Sequence, residues 1–136
     1  MGRHELREQV FRLLFQVEFH ASGDMPRQMR LFLEDNEEID SQRDADRIEK
    51  RCQEVRDKIP EIDRLIDGNT EGWDTTRMGK VELAVLRLAI YEMRYDDDIP
   101  AGVAIDEAVE IAKTYGQENA GGFVNAILGK IVKLGD

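Results

Sequence analysis

The sequence predicts an all-α fold, arranged either as one compact domain or as two tightly packed sub-bundles. Apolar residues recur at the three- and four-residue spacing of amphipathic helices along most of the chain. The three prolines, Pro26, Pro60 and Pro100, each stand where a helix could begin, and the first turn of a helix tolerates proline. Strand signals are nearly absent. The 136 residues are enough to bury a sizeable core.

The first helix is predicted over residues 3–19, and it carries apolar side chains on two sides. One side is a core face made of Leu6, Val10, Leu13, Leu14 and Val17. On the opposite side, Phe11, Phe15 and Phe19 recur every four residues. Either all three rings are buried between two bundles, or part of this phenylalanine stripe is exposed and receives another protein. Phe15 is the best candidate for the exposed position.

Three further helices are predicted over residues 26–33, over residues 42–58 and from Pro60 to Gly68. Ser41 and Asp44 form a variant of the capping box ahead of the second of these. That helix is predicted to lie at the surface, because its apolar residues form one narrow stripe among charges. The stripe contains Ala45, Ile48, Cys52, Val55 and Ile59.

The last three helices are predicted over residues 81–93, 103–115 and 120–134. The first of them is apolar on nearly every side, which is typical of a central helix. Gly116 is a natural stop for the next, and Asn119 is the predicted N-cap of the last. The turn containing Asp96, Asp97 and Asp98 lacks the central glycine and distal glutamate of an EF-hand loop, so it is interpreted as a solvated turn.

Composition excludes several classes of protein. The hydrophobic fraction of 41% is ordinary for a globular chain, and the net charge of −10 argues against nucleic-acid binding by global electrostatics. Cys52 is the only cysteine, so no intramolecular disulfide and no thiolate metal cluster can form. Neither a signal peptide nor a transmembrane run is recognisable, and the cytoplasm is the expected location.

No set of residues predicts catalysis or a cofactor. His4 and His20 belong to no metal-ligand spacing, and no nucleophile is paired with a base. Gly121 and Gly122 follow the predicted N-cap, but small residues at a helix start are a weak phosphate signature by themselves. Arg3, His4 and Arg7 form a small donor-rich patch that suits phosphates, although Glu5 and Glu8 weaken its field.

Several motifs occur together in a specific order. Trp73 is followed by Arg77-Met78, then by VELAVLRLAIYEM at 81–93, Ile99-Pro100, VAIDEAVEIAK at 103–113 and Phe123-Val124-Asn125. Near the N-terminus, Arg7-Glu8 precedes Leu14-Phe15-Gln16. In these motifs the chain resembles the NusB family of bacterial transcription antitermination factors. The resemblance thins across about residues 21–70.

The resemblance implies a fold, partners and sites. The implied fold is two packed helical sub-bundles with about seven helices, over about residues 1–70 and 71–136. The implied partners are NusE, a small-subunit ribosomal protein, and boxA RNA of nascent ribosomal RNA leaders, with RNA polymerase joined indirectly and no cofactor. The implied RNA-binding residues are Arg3, His4, Arg7, Lys113, Asn119 and Phe123. The implied NusE-binding residues are Phe15 and Glu82.

The chain departs from the family pattern in its basic residues. The family usually has consecutive arginines where this chain has Arg3-His4-Glu5-Leu6-Arg7, and a basic residue common before Phe123 is missing. Together with the charge of −10, these departures predict that RNA is held jointly with a basic NusE partner. One alternative is a protein-interaction or self-associating module with weak or no RNA binding. An RNA methyltransferase with a NusB-like domain is the other, and the absence of a Gly-rich cofactor loop argues against it.

Overall fold

Seven α-helices make up the regular structure of residues 1–17 and 24–134, which are the residues that this computed structural model describes. They are α1 (Arg3–Val17), α2 (Met25–Glu34), α3 (Gln42–Asp57), α4 (Ile59–Gly68), α5 (Lys80–Tyr95), α6 (Ala101–Tyr115) and α7 (Ala120–Leu134). Those residues contain no strand, so the predicted all-α class is confirmed. The predicted last helix agrees with α7 at both ends. Phe19 and His20, which the sequence analysis considered, lie outside the described residues.

The chain divides into two compact units, Met1–Arg56 and a second that begins at Asp57. The sequence places the division at about residue 70, whereas the structure assigns α4 to the second unit. The reason is that α4 packs against α5 and α7, with Ile62 and Ile66 fully buried. No helix within the described ranges combines the length and apolarity of a membrane span.

Burial in the first unit follows most of the predicted core face of α1 and the predicted stripe of α3. Leu6 is only partly buried, and Ile59 of the predicted stripe belongs to α4. The buried residues on these two helices include Val10, Leu13, Leu14, Ala45, Ile48, Cys52 and Val55. Phe11, on the opposite side of α1, is only 2% exposed and is therefore also core. Burial raises the pKa of the Cys52 thiol to about 12, so the thiol stays protonated and unreactive at neutral pH.

One half of the predicted capping box of α3 is present. The backbone N–H of Asp44 donates to the Ser41 hydroxyl over 3.1 Å, which satisfies one of the free donors of the first turn. The Asp44 side chain is buried and pairs with Arg47 at 3.3 Å and with the N-terminal ammonium group at 3.6 Å. A single residue thus contributes to both the helix start and the attachment of the chain's first residue.

In the second unit, α5 is the central helix, as its sequence predicts. Every residue from Leu83 to Glu92 is buried, and α5, α6 and α7 pack against one another. Periodicity did not predict that Arg87 lies among these buried residues. Its guanidinium forms a two-pronged ion pair with Asp63 of α4, with Nε–Oδ1 at 3.0 Å and Nη2–Oδ2 at 2.7 Å. This geometry joins α4 to the central helix.

Gly116 ends α6, and no larger residue fits there. A Cβ at this position would lie 2.7 Å from the Ala112 carbonyl oxygen and 2.6 Å from the Ala120 Cβ. We expect Gly116→Ala to lower the free energy of unfolding by about 1–3 kcal/mol, because helix backbone cannot move aside cheaply. Gly129→Ala is the matched control, since its Cβ would meet nothing within 4 Å. It should stabilise α7 by up to about 1 kcal/mol. Urea unfolding compares them, and equal midpoints would contradict this prediction.

Candidate nucleic-acid interface

The predicted basic patch lies on the first turns of α1, in the first unit. Arg3 and His4 are exposed, whereas Arg7 is partly buried. The His4 Nε2 lies 3.7 Å from a carboxylate oxygen of Glu8, one turn along the helix. Protonated His4 is therefore partly neutralised by Glu8. Arg3 forms no ion pair with the described residues, so its guanidinium is available to a phosphate.

The second set of predicted RNA-binding residues lies where α6 ends and α7 begins, in the second unit. The Lys113 stem packs over Gly121, since its Cγ lies 3.0 Å from the place where a Gly121 Cβ would be. The Lys113 ammonium group is exposed and forms no ion pair with the described residues. Asn119 is exposed immediately before α7, and Phe123 is partly exposed on its first turn.

This junction has the chemistry of an anion site. The amide of Phe123 donates to the Asn119 carbonyl at 3.1 Å, which is the first intrahelical bond of α7. The amides of Gly121 and Gly122, in the same first turn, have no intrahelical acceptor, as at any helix start. Gly122 is exposed, and nothing lies within 4 Å of where its Cβ would be. A phosphate could therefore approach the positive end of α7 closely, beside the Lys113 ammonium group.

Lys113, Asn119 and Phe123 are thus brought to one end of the second unit. Arg3, His4 and Arg7 lie together on the first unit. The sequence did not identify the packing of Lys113 over Gly121, because these residues come from different helices. The only feature of the sequence that could have indicated this contact is the short connection between α6 and α7.

The two residues of the predicted partner surface have different surroundings. Phe15 is partly exposed, and its ring centroid lies 6.3 Å from that of buried Phe11. The Phe15 side chain is thus neither fully buried nor fully exposed, and it has contacts within its own chain. The Glu82 carboxylate folds back over Gly79, the N-cap of α5, where it blocks the space of a Gly79 Cβ. Glu82 stands three residues after the cap, and the sequence analysis did not place its side chain against Gly79.

The loop ahead of α5 is ordered by side chains and carries an exposed indole. Asp67 accepts from the Thr75 amide at 2.8 Å, and Asp74 accepts from the Thr76 hydroxyl at 2.6 Å. The latter hydrogen bond is the main cause that holds the pKa of the Asp74 carboxyl below its usual value. Trp73, between these two anchors, is 58% exposed. Sequence analysis used Trp73 only as a motif residue.

The first unit also has an open cleft of about 410 Å³ beside α1. Its lining is Arg12, Phe32, Asp35, Asn36, Glu37 and Glu38. Inside it, Glu38 accepts from Gln9 at 2.7 Å and from Arg12 at 3.4 Å. The excess of carboxylates makes this cleft unsuitable for phosphate.

In the turn after α5, the Asp98 amide donates to Asp96 at 3.0 Å. Among the described residues, no group of three acidic, histidine or cysteine side chains is placed to hold a metal ion.

Comparison with known proteins identifies the family. The model of the NusB family matches residues 4–133, nearly the whole chain. The chain belongs to the NusB family. The transcription antitermination protein NusB of Agathobacter rectalis is 46% identical over 132 residues, covering 96% of this chain and 98% of that protein. The Listeria monocytogenes protein of the same name is 35% identical over 131 residues, covering 96% of each chain.

Solved NusB structures agree with this assignment. The NusB structure from T. maritima has a TM-score of 0.85 and 38% identity, and the likeness covers 98% of this chain and 92% of that one. A chain in the crystal structure of antitermination factors NusB and NusE in complex with dsRNA has a TM-score of 0.80 and 25% identity. That likeness covers 98% of this chain and 99% of that one. The NusB resemblance is confirmed, and it extends through residues 21–70, where the sequence motifs are thin.

Proposed function

We propose that this NusB-family chain is a transcription antitermination factor that binds boxA RNA of ribosomal RNA leaders as a heterodimer with NusE. The observation that carries the proposal is the family match from residue 4 to residue 133, with relatives of the same length that are antitermination proteins. The likeness to a chain in the NusB–NusE–dsRNA complex supports both partners. The heterodimer acts in the cytoplasm of a bacterium and joins the elongating polymerase, and this chain contributes binding rather than catalysis.

Two groups of residues carry the RNA contacts in this proposal. Arg3, His4 and Arg7 contact phosphates from the start of α1. At the start of α7, Lys113 contacts a phosphate, Asn119 hydrogen-bonds, and Phe123 stacks on an unpaired base. The exposure of the Lys113 ammonium group and the open space at Gly122 support the second group.

RNA binding depends on the NusE partner. The charge of −10 repels phosphates at long range, and the pairing of His4 with Glu8 reduces the local field of the α1 patch. A basic NusE docked on this acidic chain would remove that repulsion and add cations next to the RNA. The two proteins therefore form one joint RNA-binding surface.

We expect the heterodimer to bind a boxA oligonucleotide at least about tenfold more tightly than this chain alone, because several added phosphate contacts each strengthen binding. Fluorescence anisotropy at fixed salt measures this, with the chain alone, NusE alone and the equimolar mixture as the three titrations. A boxA oligonucleotide with scrambled sequence is the control for nonspecific binding. Equal affinities for the chain alone and the mixture would contradict the joint surface.

A protein-interaction or self-associating module is the second candidate. The observation that favours it is the thin basic patch, in which Glu8 is the partner of His4 and Arg7 is partly buried. Sizing chromatography with NusE and with boxA RNA separates the two functions. A complex with NusE that never takes up RNA, or self-association alone, would favour this second candidate.

A further inference from the structure

The exposed face of α7 differs in charge from the rest of the molecule. Among the described helices, α7 is the one without a carboxylate side chain, and it carries Lys130 and Lys133 near its C-terminal end. Both lysines are exposed, and neither forms an ion pair with the described residues. The exposed carboxylates of neighbouring α6 are Asp106 and Glu110. In a chain of net charge −10, this basic face is a local exception.

The surface between the start of α7 and these lysines is open and shallow. Gly122, Ala126 and Gly129 share one face with Lys133, because they recur at helical spacing. Gly122 and Ala126 are exposed, and a Cβ at Gly122 or Gly129 would meet nothing within 4 Å. Asn125, also exposed, offers an amide at the edge of this face. Among the described residues, no bulky side chain on this face blocks an extended ligand lying along the helix.

We propose that RNA flanking boxA runs along this face of α7, with its phosphates contacted by Lys130 and Lys133. The proposal rests on the RNA-binding function proposed above. If Lys113 and the free amides of α7 hold a phosphate at the start of the helix, the next phosphates meet the small residues and then the lysine pair. The distance along the helix axis from Gly122 to Lys133 is about 16 Å, which accommodates several phosphates.

A simpler role for the lysines is stabilisation of the helix end. A cation in the last turn interacts favourably with the helix dipole, and Lys133 is in that turn. That role predicts a change in thermal stability and none in RNA affinity. The test therefore measures RNA affinity at two RNA lengths, in variants whose folding is checked by circular dichroism.

The experiment uses the full chain in complex with NusE and two labelled RNAs, boxA alone and boxA extended on both sides. We expect Lys130→Gln with Lys133→Gln to weaken binding of the extended RNA about tenfold and to lower its salt slope by about 1 per lysine. Binding of boxA alone should not change. The matched control is Arg43→Gln with Lys50→Gln, which removes the same charge from exposed positions on α3 and should change neither titration.

A second variant tests the path without removing a lysine. Ala126→Glu places a carboxylate in the middle of the face and should weaken binding of the extended RNA, whereas Ala126→Gln should not. Unchanged affinity of the lysine variant for the extended RNA would overturn the proposal. Equal losses for both RNAs, or for the α3 control, would also overturn it. Failure of the unaltered heterodimer to bind boxA alone would instead overturn the proposed function, and the α7 path with it.

Discussion

Replacing Phe15 by aspartate is expected to weaken NusE binding by about thirty- to a thousandfold. An aromatic ring that is half-buried in its own protein and completed by a partner is typical of an interface hot spot, worth about 2–4 kcal/mol. The Phe15 ring lies against buried Phe11 and remains partly exposed on α1. A carboxylate at this position would lose its hydration on binding without gaining a partner. Isothermal titration calorimetry with NusE measures the loss.

Two further variants make this result interpretable. Phe15→Leu keeps an apolar group and should retain most of the affinity. Leu31→Asp places the same charge on α2 of the same unit, where Leu31 is 40% exposed, and should not affect NusE binding. Circular dichroism must show unchanged helix content in Phe15→Asp. Loss of folding in that variant would show that the whole phenylalanine stripe is core, and full NusE affinity would remove Phe15 from the interface.

Breaking the Arg87–Asp63 ion pair is expected to be the most destabilising of the proposed changes. Asp63→Asn removes the carboxylate charge that faces the buried guanidinium, and removing one member of such a pair costs about 3 kcal/mol or more. The side chains are only 10% and 22% exposed, so water screens the pair weakly. Arg87→Lys should cost less, because it keeps the charge but loses the two-pronged geometry. Urea unfolding gives both values.

The control for this prediction is an ion pair at the surface. Arg51 Nε lies 3.4 Å from Glu54 with the two side chains 27% and 39% exposed, and such pairs contribute about 0–1 kcal/mol. Glu54→Gln should therefore change the unfolding midpoint slightly. If Asp63→Asn and Glu54→Gln have the same effect, the Arg87–Asp63 pair does not anchor α4 to α5.

The helices could be predicted because their signals are local. Asn119 precedes α7 as predicted, Gly116 ends α6, and α5 is apolar on nearly all sides and is fully buried at its centre. The polar residues of the core could not be predicted in this way. Gln9 is hydrogen-bonded to Glu38 and Asn36, and Arg87 to Asp63, so residues distant in sequence supply partners for these buried polar groups. Without those partners, burial would have been too costly.

For the candidate site too, the sequence predicted some features and missed others. Motif order was sufficient to identify the NusB family, and the resemblance implied the candidate residues Arg3, Lys113, Phe123 and Phe15. They did not show that the Lys113 stem packs over Gly121 or that Glu82 folds back over Gly79, because each position depends on how the backbone turns between helices.

By itself, the sequence determined the helical class, the approximate spans of the helices and the family, since periodicity, prolines and motif order are properties of neighbouring residues. Only the tertiary structure decided where the chain divides into units, which face of each helix is covered and which charges remain without partners. Those properties arise from contacts between residues far apart along the chain. The basic face of α7 is the clearest case, because its lysines stand out only when the buried and exposed sides of the helix are known.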